Sequence, residues 1–271
     1  MIHRIGMLLF ARDAAIASAK EGAVSKIIGL MFIIGVGLAI GLSGSGPIDA
    51  VAEQSVISSD DPSIPIYTPP KKYSPRARVG GELRGTDGSD PEIQAIVPDH
   101  VAMTVKKTPA LNWYLSKPTK YEIRFTLVDN RLIKPVHEAA IASPKEAGIY
   151  TIDLKQLGLT LEPDVQYRWY VSAIRDPKSS AQDIVAGGVI ERCEPSACFI
   201  VTQPELTCSQ ESVHINSRNG FWYDAMSCLC NLIDANPADA SLRRQRAGLL
   251  RQVGLHKVAD WDLQSIQATG R

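Results

Sequence analysis

The middle of the chain places apolar residues at every second position, which is typical of half-buried β-strands. The clearest runs are 121–128 and 167–173. Five further runs are rich in strand-forming residues: 93–97, 111–115, 133–141, 149–154 and 184–192. Turn residues separate these seven runs and no helical pattern interrupts them. The sequence therefore predicts a β-sandwich domain over residues 92–193.

One of the predicted strands carries a motif that links two sheets. Leu161, Pro163, Tyr167 and Trp169 have a spacing that resembles the corner between strands E and F of fibronectin type III modules. In that corner a tyrosine hydroxyl bonds to backbone upstream. We expect Tyr167 to make this bond and Trp169 to lie in the core. The domain is therefore predicted to be immunoglobulin/fibronectin-like.

The hydrophobic period changes to that of a helix after residue 204. Runs at 221–233 and 238–253 are separated by Ala235-Asn236-Pro237 and end at Gly254, a typical residue just after a helix. We predict a C-terminal helical hairpin over 205–256, after a connector at 194–204 and before a tail at 257–271. A weaker helical pattern precedes it at 210–219.

The hairpin has some likeness to a known repeat. The second helix of a tetratricopeptide repeat has residues at the offsets of Gly220, Trp222, Ala225, Leu229 and Pro237. A single partial repeat cannot form a solenoid, so we predict one tetratricopeptide-like hairpin that docks on the sandwich.

The N-terminal region predicts export. An uncharged apolar run at 27–42 follows a basic segment and precedes Ala50-Val51-Ala52, which is typical of a signal peptide at 1–52 cleaved after Ala52. The run is short for a membrane span of about 20 residues, so we prefer cleavage over an inner-membrane anchor. Both interpretations place the rest of the chain outside the cytoplasm, periplasmic or secreted, and limit membrane contact to this segment.

The next region, 53–91, is rich in proline and glycine and lacks apolar periodicity. Such a composition predicts a linker. Its basic residues are compatible with contact to a lipid surface or an acidic partner, but we prefer a solvated spacer. The whole chain has 29 Lys and Arg against 29 Asp and Glu, so nothing in its charge indicates a nucleic-acid partner.

All five cysteines lie in the last third of the chain, where an exported protein is able to form disulfides. The intervening turn favours a bridge between Cys193 and Cys198. The odd number leaves at least one thiol unpaired or intermolecular. Cys228 and Cys230 diverge on a helix, so they do not predict a zinc site, and we expect no cofactor.

Two sets of side chains are candidates for binding a partner. The first is Phe221-Trp222-Tyr223, for which we prefer a docking contact inside the protein over an exposed anchor. The second is Arg168 with Tyr170, which point away from Tyr167 and Trp169 and are placed to stack as a cation–π pair. We expect this pair to pack under a neighbouring element, with the helical hairpin as a candidate, more readily than to form an open platform for sugar or peptide.

The residues that support catalysis elsewhere do not form a recognisable set here. No serine occupies a G-x-S-x-G turn in the exported part, and no histidine lies in an H-E-x-x-H motif. The acidic residues are scattered, so a hydrolase is the weakest interpretation.

Seven segments from 78 to 255 match one family in its order: RVGG (78–81), IQAIVP (93–98), LNWY (111–114), YRWY (167–170), AGGVIER (186–192), GFWYDA (220–225) and LLRQVGL (249–255). On these segments the chain resembles the bacterial family catalogued as domain of unknown function 928. The resemblance implies an exported bacterial protein without an assigned activity or catalytic residues. Cys193 and Cys198 depart from the family's pattern.

These observations favour an exported, non-enzymatic interaction or scaffold protein of the cell envelope, bound to an unknown envelope protein. The alternative is a module that binds carbohydrate or cell wall. It requires Arg168, Tyr170 or Tyr114 to be exposed on one flat face.

Overall fold

The computed structural model describes residues 61–70, 77–80, 90–194, 198 and 207–269, with side chains up to residue 266. Within these residues, eight strands form two open sheets and four α-helices follow, so the fold is mixed. The elements are β1 (Ile93–Ala95), β2 (Ala102–Thr104), β3 (Ala110–Leu115), β4 (Glu122–Asp129), β5 (His137–Ile141), β6 (Gly148–Asp153), β7 (Gln166–Ile174), β8 (Ile184–Arg192), α1 (Gln210–Arg218), α2 (Trp222–Ala235), α3 (Ala240–Gln252) and α4 (His256–Thr269).

The larger sheet has the strand order β2-β8-β7-β4-β5, and the smaller sheet has the order β1-β3-β6. All neighbouring strands are antiparallel except β2, which runs parallel to β8. Strands β4 and β7 alternate buried and more exposed residues, as their sequences predict. The alternation gives the larger sheet one face toward the core and one toward solvent.

Both sheets and the helices contribute to one hydrophobic core. Its largest fully buried side chains include Trp113, Phe125, Trp169, Trp222 and Tyr223. The hydrogen bond predicted for Tyr167 is present, because its hydroxyl accepts the backbone N–H of Glu162 at 3.2 Å. The helices are therefore packed into the same apolar interior as the strands.

The helical region is larger than the predicted hairpin. Its principal pairs are α1 with α2 and α3 with α4. Gly254, with φ of +75°, ends α3 as expected, but the chain turns directly into α4 where we predicted a tail. Helix α4 forms because Leu255, Val258 and Ala259 are spaced to bury one face against α3.

The described parts of the proline-rich region are packed, so the prediction of a solvated spacer is wrong for them. Ile64, Tyr67 and Ala77 are buried. The N–H of Tyr67 donates to the side chain of Gln252 at 2.8 Å, and the Gln252 amide donates to the carbonyl of Pro65 at 2.8 Å. We call residues 61–70 the arm, because this segment lies along α3.

Candidate functional site

The aromatic segment at the start of α2 lies inside the protein. Phe221, Trp222 and Tyr223 are each at most 2% exposed. The indole N–H of Trp222 donates to the carbonyl of Ile96 at 2.8 Å. Burial of all three side chains does not agree with an exposed aromatic anchor, and the bond of Trp222 docks the start of α2 beside β1.

The hydroxyl of Tyr223 connects the helix to two strands. It accepts the indole N–H of Trp169 on β7 at 2.9 Å and donates to the carbonyl of Val189 on β8 at 3.2 Å. Burial raises the pKa of this hydroxyl. A buried tyrosine needs such partners to compensate the loss of water, so this pair of bonds orients α2 on the sheet.

Asp224 follows this segment and is also buried. One carboxylate oxygen accepts the backbone N–H of Val105 at 3.0 Å. The other oxygen has no hydrogen-bond partner among the described residues. Burial raises the pKa of this carboxyl. Nearby Lys106 and the hydrogen bonds that the carboxyl accepts lower the pKa, but burial has the larger effect. An ionised carboxylate here destabilises the fold relative to the protonated form.

The solvent face of the larger sheet carries the second predicted pair. Arg168 is exposed and Tyr170 is half-buried. On this face Arg168 lies between Val128 and Val189, and Tyr170 lies between Thr126 and Gly187. The ring of Tyr170 covers Gly187, where a Cβ atom would lie 2.7 Å from the ring.

Two predictions for this pair do not agree with the structure. The solvent accessibility of Arg168 excludes its packing under the helices, and these two described side chains form no cation–π contact. The contact of that type in the described residues joins Lys120 to the ring of Tyr121, at 5.9 Å. Glycine at position 187 explains the difference, because it leaves room for Tyr170 to lie across β8 instead of along β7.

An apolar loop joins β4 to β5 at the end of the sheet where Arg168 lies. Leu132, Ile133 and Val136 are 56%, 102% and 44% exposed. We define the loop face as these three residues with Arg168 and Tyr170. Arg168 lies opposite Val128 near the end of β4 where the loop begins. Apolar side chains that are exposed together make this surface a candidate for binding.

The base of this loop is held by ion pairs. The guanidinium of Arg131 bonds to Asp129 at 2.7 Å and to Glu162 at 2.8 Å. The bond from Arg131 holds the pKa of the Asp129 carboxyl below its ordinary value. Arg131 is thereby occupied within the protein, so Arg168 is the unpaired guanidinium of the loop face within the described residues.

A polar cleft of about 330 Å³ lies elsewhere, between α2, the loop after β2, and β6. Its walls carry ammonium, carboxylate, amide and hydroxyl groups. The lining residues are Lys106, Thr108, Ala110, Thr151, Asp153, Lys155, Gln156, Ser227, Asn231 and Asp234. This volume is at the lower end of the roughly 300–1,000 Å³ typical of small-ligand sites.

The cysteines form two disulfides. Cys193 is bonded to Cys198, and Cys208 to Cys228. Cys230 is free and buried, and burial raises the pKa of its thiol. Its sulfur accepts a bond from Arg246 at 3.4 Å, and Arg246 pairs with buried Asp262 at 2.7 Å. This environment makes Cys230 a structural residue and not a nucleophile.

The described residues contain no group of three or more His, Cys, Asp or Glu side chains placed to hold a metal ion. They also include no helix with the length and hydropathy needed to cross a membrane. The predicted cleavage site at Ala52 and the apolar run 27–42 lie outside the described residues.

One of the three residues named for the carbohydrate alternative is buried. Tyr114 is 6% exposed and packs against Trp261, with ring centroids 5.3 Å apart. Burial is the main reason that the pKa of Tyr114 rises to about 12. Tyr114 therefore does not share an exposed face with Arg168 and Tyr170.

Sequence reasoning did not identify the apolar loop or the cleft. Residues 133–141 were predicted as one strand, whereas β5 begins at His137, so Ile133 and Val136 belong to the loop. The signal was present in Asn130 and Pro135, which favour turns before and after Leu132 and Ile133. The cleft joins three segments that are distant in sequence, and no local pattern identifies it.

Comparison with known proteins gives a family and no activity. The family model described as Domain of Unknown Function (DUF928) matches residues 79–263, which is more than half of the chain. No curated protein matches.

Proposed function

The chain belongs to the DUF928 family, whose description assigns no activity, and we propose that it is a non-enzymatic module of the cell envelope that binds another protein. The observation that carries this proposal is the loop face. It combines three exposed apolar side chains with Arg168, whose guanidinium has no ion pair or hydrogen bond within the described residues.

The chemistry of this surface defines the partner. Transfer of exposed apolar side chains out of water lowers the free energy of the complex. Arginine is enriched among the residues that dominate protein interfaces. A matching surface has an apolar recess for Leu132 and Ile133 and a carboxylate for Arg168. The small size of the loop face favours a weak or transient complex.

The order of the strands supports an immunoglobulin-like sandwich as the scaffold of this surface. A three-stranded sheet β1-β3-β6, a five-stranded sheet β2-β8-β7-β4-β5, and the parallel pairing of β2 with β8 agree with that fold. The hydrogen bond at Tyr167 supports the same interpretation. The tetratricopeptide-like hairpin that we predicted over 205–256 corresponds in this proposal to helices α1 to α3, which Trp222 docks on the sandwich through its bond to Ile96.

An extracytoplasmic location is supported by two independent features. The sequence at 27–52 has the form of a signal peptide, or of an inner-membrane anchor if it is retained. The disulfides Cys193–Cys198 and Cys208–Cys228 suit an oxidising compartment outside the cytoplasm.

Photocrosslinking in the native host tests the proposal. The full chain is expressed with a benzophenone amino acid in place of Ile133, and adducts are identified by mass spectrometry. We expect one envelope protein to be captured. The yield should be about tenfold lower when Arg168→Glu is added, because the introduced carboxylate then faces the carboxylate of the partner.

The matched control places the same probe at Arg244, an exposed position on α3. Equal capture at positions 133 and 244 would contradict the proposal, and so would a yield at 133 that Arg168→Glu leaves unchanged. Capture of lipid alone at 133 would replace the protein partner by a membrane surface.

A further inference from the structure

The wall of the polar cleft formed by α2 is an unusual part of that helix. Most of α2 is apolar and buried, yet Asp224, Ser227, Asn231 and Asp234 follow one another on a single face. Residues spaced by three and four positions line one side of a helix. We call these four residues the polar stripe. Its later members line the cleft, and its first member, Asp224, is tied to Val105 in the loop after β2.

The opposite walls come from two other segments. Lys106 and Thr108 follow β2, while Thr151, Asp153 and Lys155 lie on or just after β6. Two of these residues are fixed by hydrogen bonds: Thr151 accepts from buried Asn112 at 2.8 Å, and Asp153 accepts the N–H of Lys155 at 2.8 Å. The cleft thus has ordered walls on two sides.

The charges that line the cleft are balanced. Lys106 and Lys155 supply two ammonium groups, and Asp153 and Asp234 supply two carboxylates. An anionic or cationic ligand therefore meets one repulsive charge for each attractive one. A neutral ligand whose groups both donate and accept hydrogen bonds avoids this conflict.

Sugar hydroxyls have this property, since each donates to a carboxylate or amide oxygen and accepts from an ammonium or amide N–H. The methyl groups of Ala110 and Thr151 give the C–H face of a sugar ring a small apolar contact. We propose that this cleft binds a neutral saccharide, one or two rings long. This site is separate from the loop face and does not depend on the protein partner proposed there.

Saturation-transfer NMR on the full chain tests this site with glucose, galactose and N-acetylglucosamine disaccharides as probes, and with dextran as a polymer. We expect at least one neutral disaccharide to bind with a Kd of about 1 mM or tighter. If each end of a dextran chain binds as tightly as a free disaccharide, the site is assigned to polymer chains. If only the disaccharides bind, it is assigned to free sugars.

The decisive variant is Asn231→Trp, because Asn231 is exposed and a larger side chain there fills the cleft without entering the core. We expect it to weaken saccharide binding about tenfold. Lys155→Ala removes one donor and should weaken it less, while the melting temperature of both variants stays near that of the original chain.

Arg168→Glu is the matched control, since it alters the loop face and should leave saccharide binding unchanged. Absence of binding by every neutral sugar, or binding that Asn231→Trp does not weaken, overturns the proposal. Asn231→Trp should leave photocrosslinking from position 133 unchanged, so failure of this site and failure of the loop face are separate results.

Discussion

Aromatic side chains occur both in the segment from Phe221 to Asp224 and among the outward-facing residues of β7, which we call its outward row. The two environments are opposite. Trp222 and Tyr223 are buried and bonded to the strands, whereas Arg168 is exposed and Tyr170 is half-buried. Aromatic content alone therefore does not distinguish a packing centre from a binding surface. The distinguishing feature is the position of each side chain relative to the period of its element.

This difference assigns separate roles to the two regions. The N-terminal turn of α2 inserts its side chains between the sheets and the arm, so it contributes stability. Strand β7 must turn every second residue away from the core, so its outward row is available for binding. Substitutions in the first region should mainly change the free energy of unfolding, and substitutions in the second should mainly change binding.

Trp222→Ala should have the largest effect on stability. It removes a fully buried indole that packs edge-on to Tyr67 with centroids 5.0 Å apart, and a large cavity remains. We expect a loss of about 3–5 kcal/mol in the free energy of unfolding, measured by urea denaturation. The half-buried Trp261→Ala should cost less, and equal losses would contradict the assigned difference in burial.

Tyr223→Phe should have the next largest effect. It removes the hydroxyl that accepts from Trp169 and donates to Val189, which leaves a buried indole N–H without an acceptor. The expected cost is about 1–3 kcal/mol. Tyr150→Phe is the matched control, since its hydroxyl bonds to the carbonyl of Glu146 near the surface, and its cost should stay within about 0.5 kcal/mol.

Asp224→Asn should change how stability depends on pH. Burial raises the pKa of this carboxyl above its ordinary value of 3.8. The native state therefore keeps the proton to a higher pH than the unfolded chain does. The resulting stabilisation is complete below about pH 3.8 and is lost as the pH rises through the native pKa.

The measurement for this variant is urea unfolding across a pH series that starts near the ordinary pKa of an aspartate carboxyl. The difference in stability between Asp224→Asn and the original chain should grow in favour of the variant as pH rises. Asp234→Asn, which removes an exposed carboxylate from the same helix, is measured in parallel as the control. A difference for Asp224→Asn that is constant with pH would contradict the effect of burial.

Arg168→Ala should have the smallest effect on stability, within about 0.5 kcal/mol, because its guanidinium makes no bond within the described residues. The same substitution should reduce crosslinking from position 133. A stability loss comparable to that of Tyr223→Phe would mean that Arg168 is a structural residue and would remove it from the loop face.

Much of the fold follows from local pattern, and what was missed has definite physical causes. Strands β4 and β7 are long enough to show a period of two, whereas β2 has only three residues and is formed by pairing with distant β8. Helix α4 was predicted as a tail because Gly254 indicates a helix end. The helical spacing of Leu255, Val258, Ala259 and Asp262 was the available signal.

The candidate sites were less predictable than the fold. Outward orientation of Arg168 followed from the alternation of β7, but the conformation of Tyr170 depends on Gly187 in a neighbouring strand. The cleft depends on α2 packing on β2 and β3, next to β6, which pairs with β3, and these contacts are tertiary. Packing of the arm is also tertiary, since proline-rich residues 61–70 have no period to indicate which side chains are buried.

The arm has a consequence for how the chain acquires its structure. Its bonds to Gln252 join residues separated by 185 and 187 positions, and Ile64 rests on Gly248 of α3. Contacts of such high sequence separation form slowly, because a long loop must close first. Since a chain emerges from its N-terminus, the arm lacks its contacts to α3 until that helix has been delivered. Completion of the native structure therefore waits for the last fifth of the chain, and a truncation before α3 removes the surface on which Ile64 rests and exposes that side chain to chaperones and proteases.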